Sequence, residues 1–147
     1  MLSLQAATEI RAPADVVFAV LSAPERLPEW NTSVESARRA APDEAIRLGS
    51  RAVMNGRLLG QVLESETEVV AFDPPNVFAT RAIRGPKLHT RFELNTVSET
   101  TRVRLDISGE VPGGRLGGML AEGFLRRELT ASLDRLKTVC EAAQRGR

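Results

Sequence analysis

His89 is the one histidine in the chain and Cys140 the one cysteine. Histidine-based triads and multi-histidine metal sites are therefore not expected. His89 shares the parity of Lys87, Arg91 and Glu93 in an alternating segment, so it reads as an exposed imidazole on a wet face. A lone cysteine forms no intramolecular disulfide, zinc-thiolate cluster or redox dithiol, and a reducing cytoplasm suits it. Glu64, Glu66 and Glu68 have the look of paired acids. However, they alternate with Leu63, Ser65, Thr67 and Val69, which makes them charges on the solvent face of one strand. Gly113-Gly114-Arg115-Leu116-Gly117-Gly118 precedes a helical stretch but lacks the Lys-Ser/Thr ending of a phosphate-binding loop and the spacing of a dinucleotide fingerprint. It reads as a hinge or a close-packed entrance, with Leu116, Met119, Leu120 and Phe124 beside it as a lid or as plain packing.

Composition narrows the classes further. Twenty basic residues stand against nineteen acidic ones, a net charge of +1 without a long basic block, which disfavours an extended nucleic-acid surface. Hydrophobic residues at 42% and charged residues at 27% are ordinary for a soluble globular chain, and 147 residues suit one domain, 1–147. Met1 to Ile10 alternates polar with apolar, so a secretory leader is not expected, and no run approaches the ~20 apolar residues that span a bilayer. No integral membrane association is expected, and the chain is placed in the cytoplasm.

The elements that must position any chemistry follow from periodicity. Leu2, Leu4, Ala6, Thr8 and Ile10 share one face of a first strand. Pro13 to Leu21 reads as a short buried helix, with proline and Asp15 in its first turn. Ser22 to Trp30 carries Pro24 and Pro28 and fits single helical turns about a bend. The pattern from Asn31 to Ala40 is weak. Between Arg47 and Ala71, two turns compete to join consecutive antiparallel strands, Asn55-Gly56 and one at Gly60. Strands follow over Asn76 to Ile83, Lys87 to Leu94 and Arg102 to Val111, with turns at Asp73-Pro74-Pro75 and Arg84-Gly85-Pro86. After Pro112-Gly113-Gly114, Leu125, Leu129, Leu133, Leu136 and Cys140 recur at the spacing of a long amphipathic helix. Leu116, Leu120 and Phe124 lie nearly opposite that stripe, so the first turns face another surface or the helix is kinked near Gly117, Gly118 or Gly123.

Four landmarks in this order carry a resemblance over nearly the whole chain. They are Ala14-Asp15-Val16-Val17-Phe18-Ala19-Val20-Leu21-Ser22, then Pro24-Glu25 with Pro28-x-Trp30, then Phe72-Asp73-Pro74-Pro75, and last the leucine helix. Together they resemble the START-related helix-grip superfamily, which includes birch-pollen-allergen-like proteins and the polyketide cyclase/dehydrase-like family. The resemblance implies an α+β helix-grip fold: a curved antiparallel sheet, two short N-terminal helices, and a long C-terminal helix enclosing an apolar cavity. It implies a ligand that is lipid, polyketide or aromatic, and it does not by itself choose between carrier and enzyme.

On that architecture and on strand parity, Trp30, Met54, Phe78, Phe92, Leu120 and Phe124 are expected near the cavity, and ordinary core is the plain alternative. Thr80 and Thr90 share the inward parity and could supply orienting hydroxyls, or could satisfy backbone groups instead. Arg127, nearer Phe124 than the Leu129 face, could point inward to bind a carboxylate or enolate oxygen, or could form a surface salt bridge. With no tyrosine and the histidine outward, acid/base candidates are few. The expected function is therefore binding or carriage of a small hydrophobic molecule, without metal or tightly bound cofactor; a homodimer is compatible with the sequence. Two alternatives stay open. One is a cyclase or dehydratase in which Arg127 or a threonine polarises a carbonyl. The other is a protein-interaction module, which resemblance to co-chaperone activators and toxin-like relatives permits and a filled core would favour.

Overall fold

Along β1 (Leu2–Ile10), Leu2, Leu4 and Ile10 are buried while Ser3, Gln5, Ala7 and Glu9 are exposed, so alternation places one face of the strand inward. The computed structural model describes residues 2–58, 60–110 and 114–146. After β1 come α1 (Ala14–Ser22), a single 3-10 turn (Pro24–Arg26) and α2 (Leu27–Trp30). The strands β2 (Val34–Arg39), β3 (Arg51–Leu58), β4 (Gln61–Asp73), β5 (Val77–Arg84), β6 (Leu88–Val97) and β7 (Thr100–Gly109) then lead to α3 (Gly114–Arg145). Among the described residues the strands form one curved sheet in the order β1-β7-β6-β5-β4-β3-β2, antiparallel throughout. Six strands are consecutive neighbours, and β1 joins beside β7, with Leu4 opposite Ile107 and Ala6 opposite Leu105.

Pro13 stands just outside α1 as its N-cap, in extended conformation, and its carbonyl accepts from the N–H groups of Val16 and Val17 at 3.1 and 3.2 Å. Ala14, Val17, Phe18, Val20 and Leu21 are buried, which accounts for the closely spaced apolar residues of that segment. The helix α3 packs on β1, α1 and α2. Leu129, Leu133, Leu136 and Cys140 are its buried face, and Leu125 packs against the same core. This core also holds Leu4, Ile10, Leu94 and Val103, all at most 1% exposed. Within it the Thr101 hydroxyl donates to the Ala12 carbonyl at 2.7 Å, so a fully buried polar group is satisfied.

Of the two turns open from the sequence, the chain uses the one at Gly60. Leu58 pairs with Gln61 and Gly60 takes φ +79°, a left-handed conformation that glycine adopts without strain, while Leu59 lies outside the described residues. Asn55 and Gly56 lie inside β3, opposite Glu64 and Leu63. Gly56 answers a different demand. A Cβ there would stand 1.8 Å from the Ser33 carbonyl oxygen, which accepts from the Arg57 N–H at 2.9 Å. The weak pattern from Asn31 to Ala40 is the edge strand β2, and a register shift between Val34 and Ser36 breaks its alternation. β7 ends at Gly109, and Val111 and Gly113, assigned to the last strand and the hinge, lie outside the described residues.

Candidate functional site

The inward faces of β3 to β7 do not all meet α3. Between them and the helices lies a cavity of about 250 Å³. Its sheet wall follows strand parity: Ala52 and Met54 on β3, Leu63, Ser65, Thr67 and Val69 on β4, Phe78, Thr80 and Ala82 on β5, Leu88, Thr90 and Phe92 on β6, and Leu105 and Ile107 on β7. Leu21, Pro24, Leu27 and Trp30 close one side, and α3 contributes Leu125, Glu128, Leu129 and Ser132. Arg51, Asn55 and Arg57, all exposed, form the rim.

Six of the nine residues singled out from the sequence therefore line one cavity: Trp30, Met54, Phe78, Thr80, Thr90 and Phe92. Trp30 is 3% exposed and meets Phe92 edge-on, ring centroids 5.9 Å apart at 82°. Its Nε1 finds no acceptor among the described residues. Phe78 also closes an aromatic group at the far end, 5.9 Å from Phe18 and 6.3 Å from Phe72.

The other three belong elsewhere, and the reason is helix phase. Residues at i, i+3, i+4 and i+7 share a face, and on α3 the cavity face is Leu125, Glu128, Leu129 and Ser132. Arg127 is two residues from both Leu125 and Leu129, about 200° around the helix. It is exposed and does not line the cavity, so the carbonyl-polarising role considered for it has no geometric support. Leu120 is 71% exposed, and Phe124 is half-buried outside the wall. The helix runs on through Gly117, Gly118 and Gly123, and neither Leu120 nor Phe124 lies in the cavity wall.

Sequence reasoning missed the polar contribution of α3. The Oε2 atom of Glu128 accepts from the Thr32 hydroxyl and, at 3.3 Å, from the Ser33 hydroxyl. Ser132 Oγ accepts the Thr32 N–H at 3.1 Å and stands 3.2 Å from Thr32 Oγ1. Asn31 Oδ1 accepts the Ser33 N–H at 3.0 Å. The bonds of Thr32 and Ser33 to Glu128 and Ser132 tie the segment after α2 to the middle of the last helix. The signal for them was present: Glu128 and Ser132 flank Leu129 on the leucine face, where a solvent-facing carboxylate would not be placed.

The remaining charged candidates face outward. Glu68 meets Arg51 at 3.5 Å and Arg81 at 3.4 Å, and Arg84 meets Glu64 at 2.6 Å and Glu66 at 3.8 Å. The three glutamates thus sit in a ladder of ion pairs on the convex face. His89 is exposed in β6 opposite Ser108 and Arg81. Burial pushes the Cys140 thiol up to about 12, which leaves it an unreactive core residue. Among the described residues no three His, Cys, Asp or Glu side chains stand together as metal ligands, and no helix is long and apolar enough to cross a membrane.

A long helix laid across a curved antiparallel sheet, with two short helices closing one side and a cavity between them, is the helix-grip architecture. The family model described as polyketide cyclase/dehydrase and lipid transport matches residues 1–141, and the chain belongs to that family. Solved structures agree on the fold. The crystal structure of TTHA0849 from Thermus thermophilus is 20% identical over 97% of this chain and 99% of its own, with a TM-score of 0.80. A START superfamily protein from Mycobacterium smegmatis is 16% identical, covering 98% and 97%, at 0.67. Ara h 8.0201 is 9% identical, covering 96% and 98%, at 0.70. No curated protein matches the sequence.

Proposed function

We propose that residues 1–147 act as one ligand-binding domain that holds a small hydrophobic molecule in the cavity between sheet and α3, as a carrier or binding protein. The observation that carries this reading is the largely apolar cavity between sheet and α3, bordered by Met54, Leu63, Phe92 and Leu125 and dotted with the hydroxyls of Ser65, Thr67, Thr80 and Thr90. An apolar wall with a few fixed polar groups is the usual make-up of a small-molecule site. At about 250 Å³ the cavity lies just below the ~300–1,000 Å³ common for such sites, which favours a ring system or a single short chain over a two-chain lipid. The family description, with its polyketide and lipid terms, points the same way. The cyclase or dehydratase version loses its cation, because Arg127 stands outside the cavity. The lone buried cysteine suits a cytoplasmic setting.

The test is a thermal-shift panel of ring-sized and single-chain apolar compounds, run on the wild type and on Thr80→Phe, which fills the cavity from the sheet side. Raised melting temperatures that Thr80→Phe abolishes are expected. A panel that moves neither protein contradicts the reading and favours a protein-interaction role.

A further inference from the structure

The cavity wall carries one charge that the protein leaves half-used. Glu128 Oε2 is held by Thr32 and Ser33, yet Oε1 has no partner among the described residues. The rim cations are engaged elsewhere, Arg51 with Glu68 at 3.5 Å and Arg57 with Glu35 at 3.1 Å. No ion pair to Glu128 is found among the described residues, so the cavity wall presents one fixed carboxylate oxygen beside a largely apolar space. An ionised carboxylate accepts and never donates, and it repels a second carboxylate. A carboxylate held by two hydroxyls on one oxygen is also pre-aimed, which lowers the cost of ordering it when a ligand arrives.

Resting on the ligand-binding reading above, we infer that the natural ligand carries a hydrogen-bond donor, a hydroxyl or an ammonium, on its apolar body, and that Glu128 is the specificity-determining residue that receives it. A ligand ending in a free carboxylate is selected against. Thr32 is a positioning residue: it holds Glu128 and leaves Oε1 to the ligand.

Trp30 is the single tryptophan and lines the cavity, so its fluorescence reports occupancy. Four probes are matched in overall length and differ in the head: 1-octanol, octylamine, octanoate and the methyl ether of heptanol. The wild type is expected to bind octanol or octylamine at least tenfold more tightly than octanoate and the ether, the value of one charge-assisted hydrogen bond. Glu128→Leu removes that preference while keeping affinity for the ether. Glu128→Gln separates the two donors, costing octylamine roughly tenfold and octanol less, since an amide oxygen still accepts. Thr32→Val weakens the preference only in part. Circular dichroism and melting temperature confirm that each variant is folded, and Glu128→Gln, closest in shape, keeps the test open if Glu128→Leu unfolds. Octanoate binding as tightly as octanol and octylamine, or a head-group ranking unchanged in both Glu128 variants, overturns the inference and leaves the cavity reading in place. Failure of all four probes, with the ring-sized compounds of the thermal-shift panel failing as well, removes the cavity reading and this inference together.

Discussion

The two wings of the sheet present the same inward face and use it differently. On β1 and the end of β7 beside it, the inward residues Leu4, Ile10 and Val103 are at most 1% exposed, in one core with Leu136 and Cys140 of α3. On β3 to β5, Ala52, Val69 and Phe78 are buried, but Met54, Leu63, Ser65, Thr67, Thr80 and Ala82 are only half-buried around the cavity. α3 packs on β1, α1 and α2, and the far wing is left for something other than the helix. The change from branched aliphatics to hydroxyls across one continuous sheet shows a chain that fills its core at one end and keeps it open at the other. Native interiors otherwise pack to crystal-like density, so a persistent void lined by ordinary side chains has a cost that a bound molecule would relieve.

The contrast can be broken by mutation. Leu136→Ala, in the filled wing, should cost about 2–5 kcal/mol through lost burial and a new cavity, whereas Met54→Ala should cost under about 1 kcal/mol and change ligand affinity instead. Urea unfolding with and without ligand separates the two; equal losses would mean that the wings are not distinct.

Cys140 sharpens the same point. Its thiol titrates near 9 when unfolded and is pushed up to about 12 by burial in the folded chain. Above pH 9 the unfolded state sheds a proton that the native state keeps, so stability falls as pH rises toward 12, by up to ~1.4 kcal/mol per unit. Cys140→Ala should lack this slope, read as the difference between the two proteins in denaturant melts from pH 8 to 11.

Thr101→Val removes the hydroxyl that satisfies the Ala12 carbonyl and should cost about 1–3 kcal/mol. Thr67→Val, on the cavity wall, should move stability by under about 0.5 kcal/mol. The same conservative swap thus distinguishes a hydroxyl used by the fold from one left to the cavity, measured by chemical denaturation of both.

Much of this division was legible beforehand. Alternation located β1, β4, β6 and β7, and the leucine stripe from Leu125 to Cys140 identified the buried face of α3. Strand parity also brought Met54, Phe78, Thr80, Thr90 and Phe92 to one wall, because a two-residue repeat leaves only two faces to choose between. Less was legible on the helix. A 3.6-residue repeat offers a continuum of directions, so Arg127, Phe124 and Leu120 could be placed toward the cavity on weak grounds while Glu128 and Ser132 were passed over. The Asn55-Gly56 pair misled for a tertiary reason: its glycine serves the close approach of Ser33, which no local rule encodes. The edge strand β2 was faint because its bulge disrupts the two-residue pattern.

On the function proposed above, the open wing holds an apolar molecule. Native mass spectrometry of freshly purified protein, followed by denaturing extraction, tests it most directly. A stoichiometric adduct, released on unfolding, of ring or single-chain size and bearing a hydroxyl or amine, is expected. A clean unliganded mass, with no apolar compound shifting the melting temperature, would contradict it.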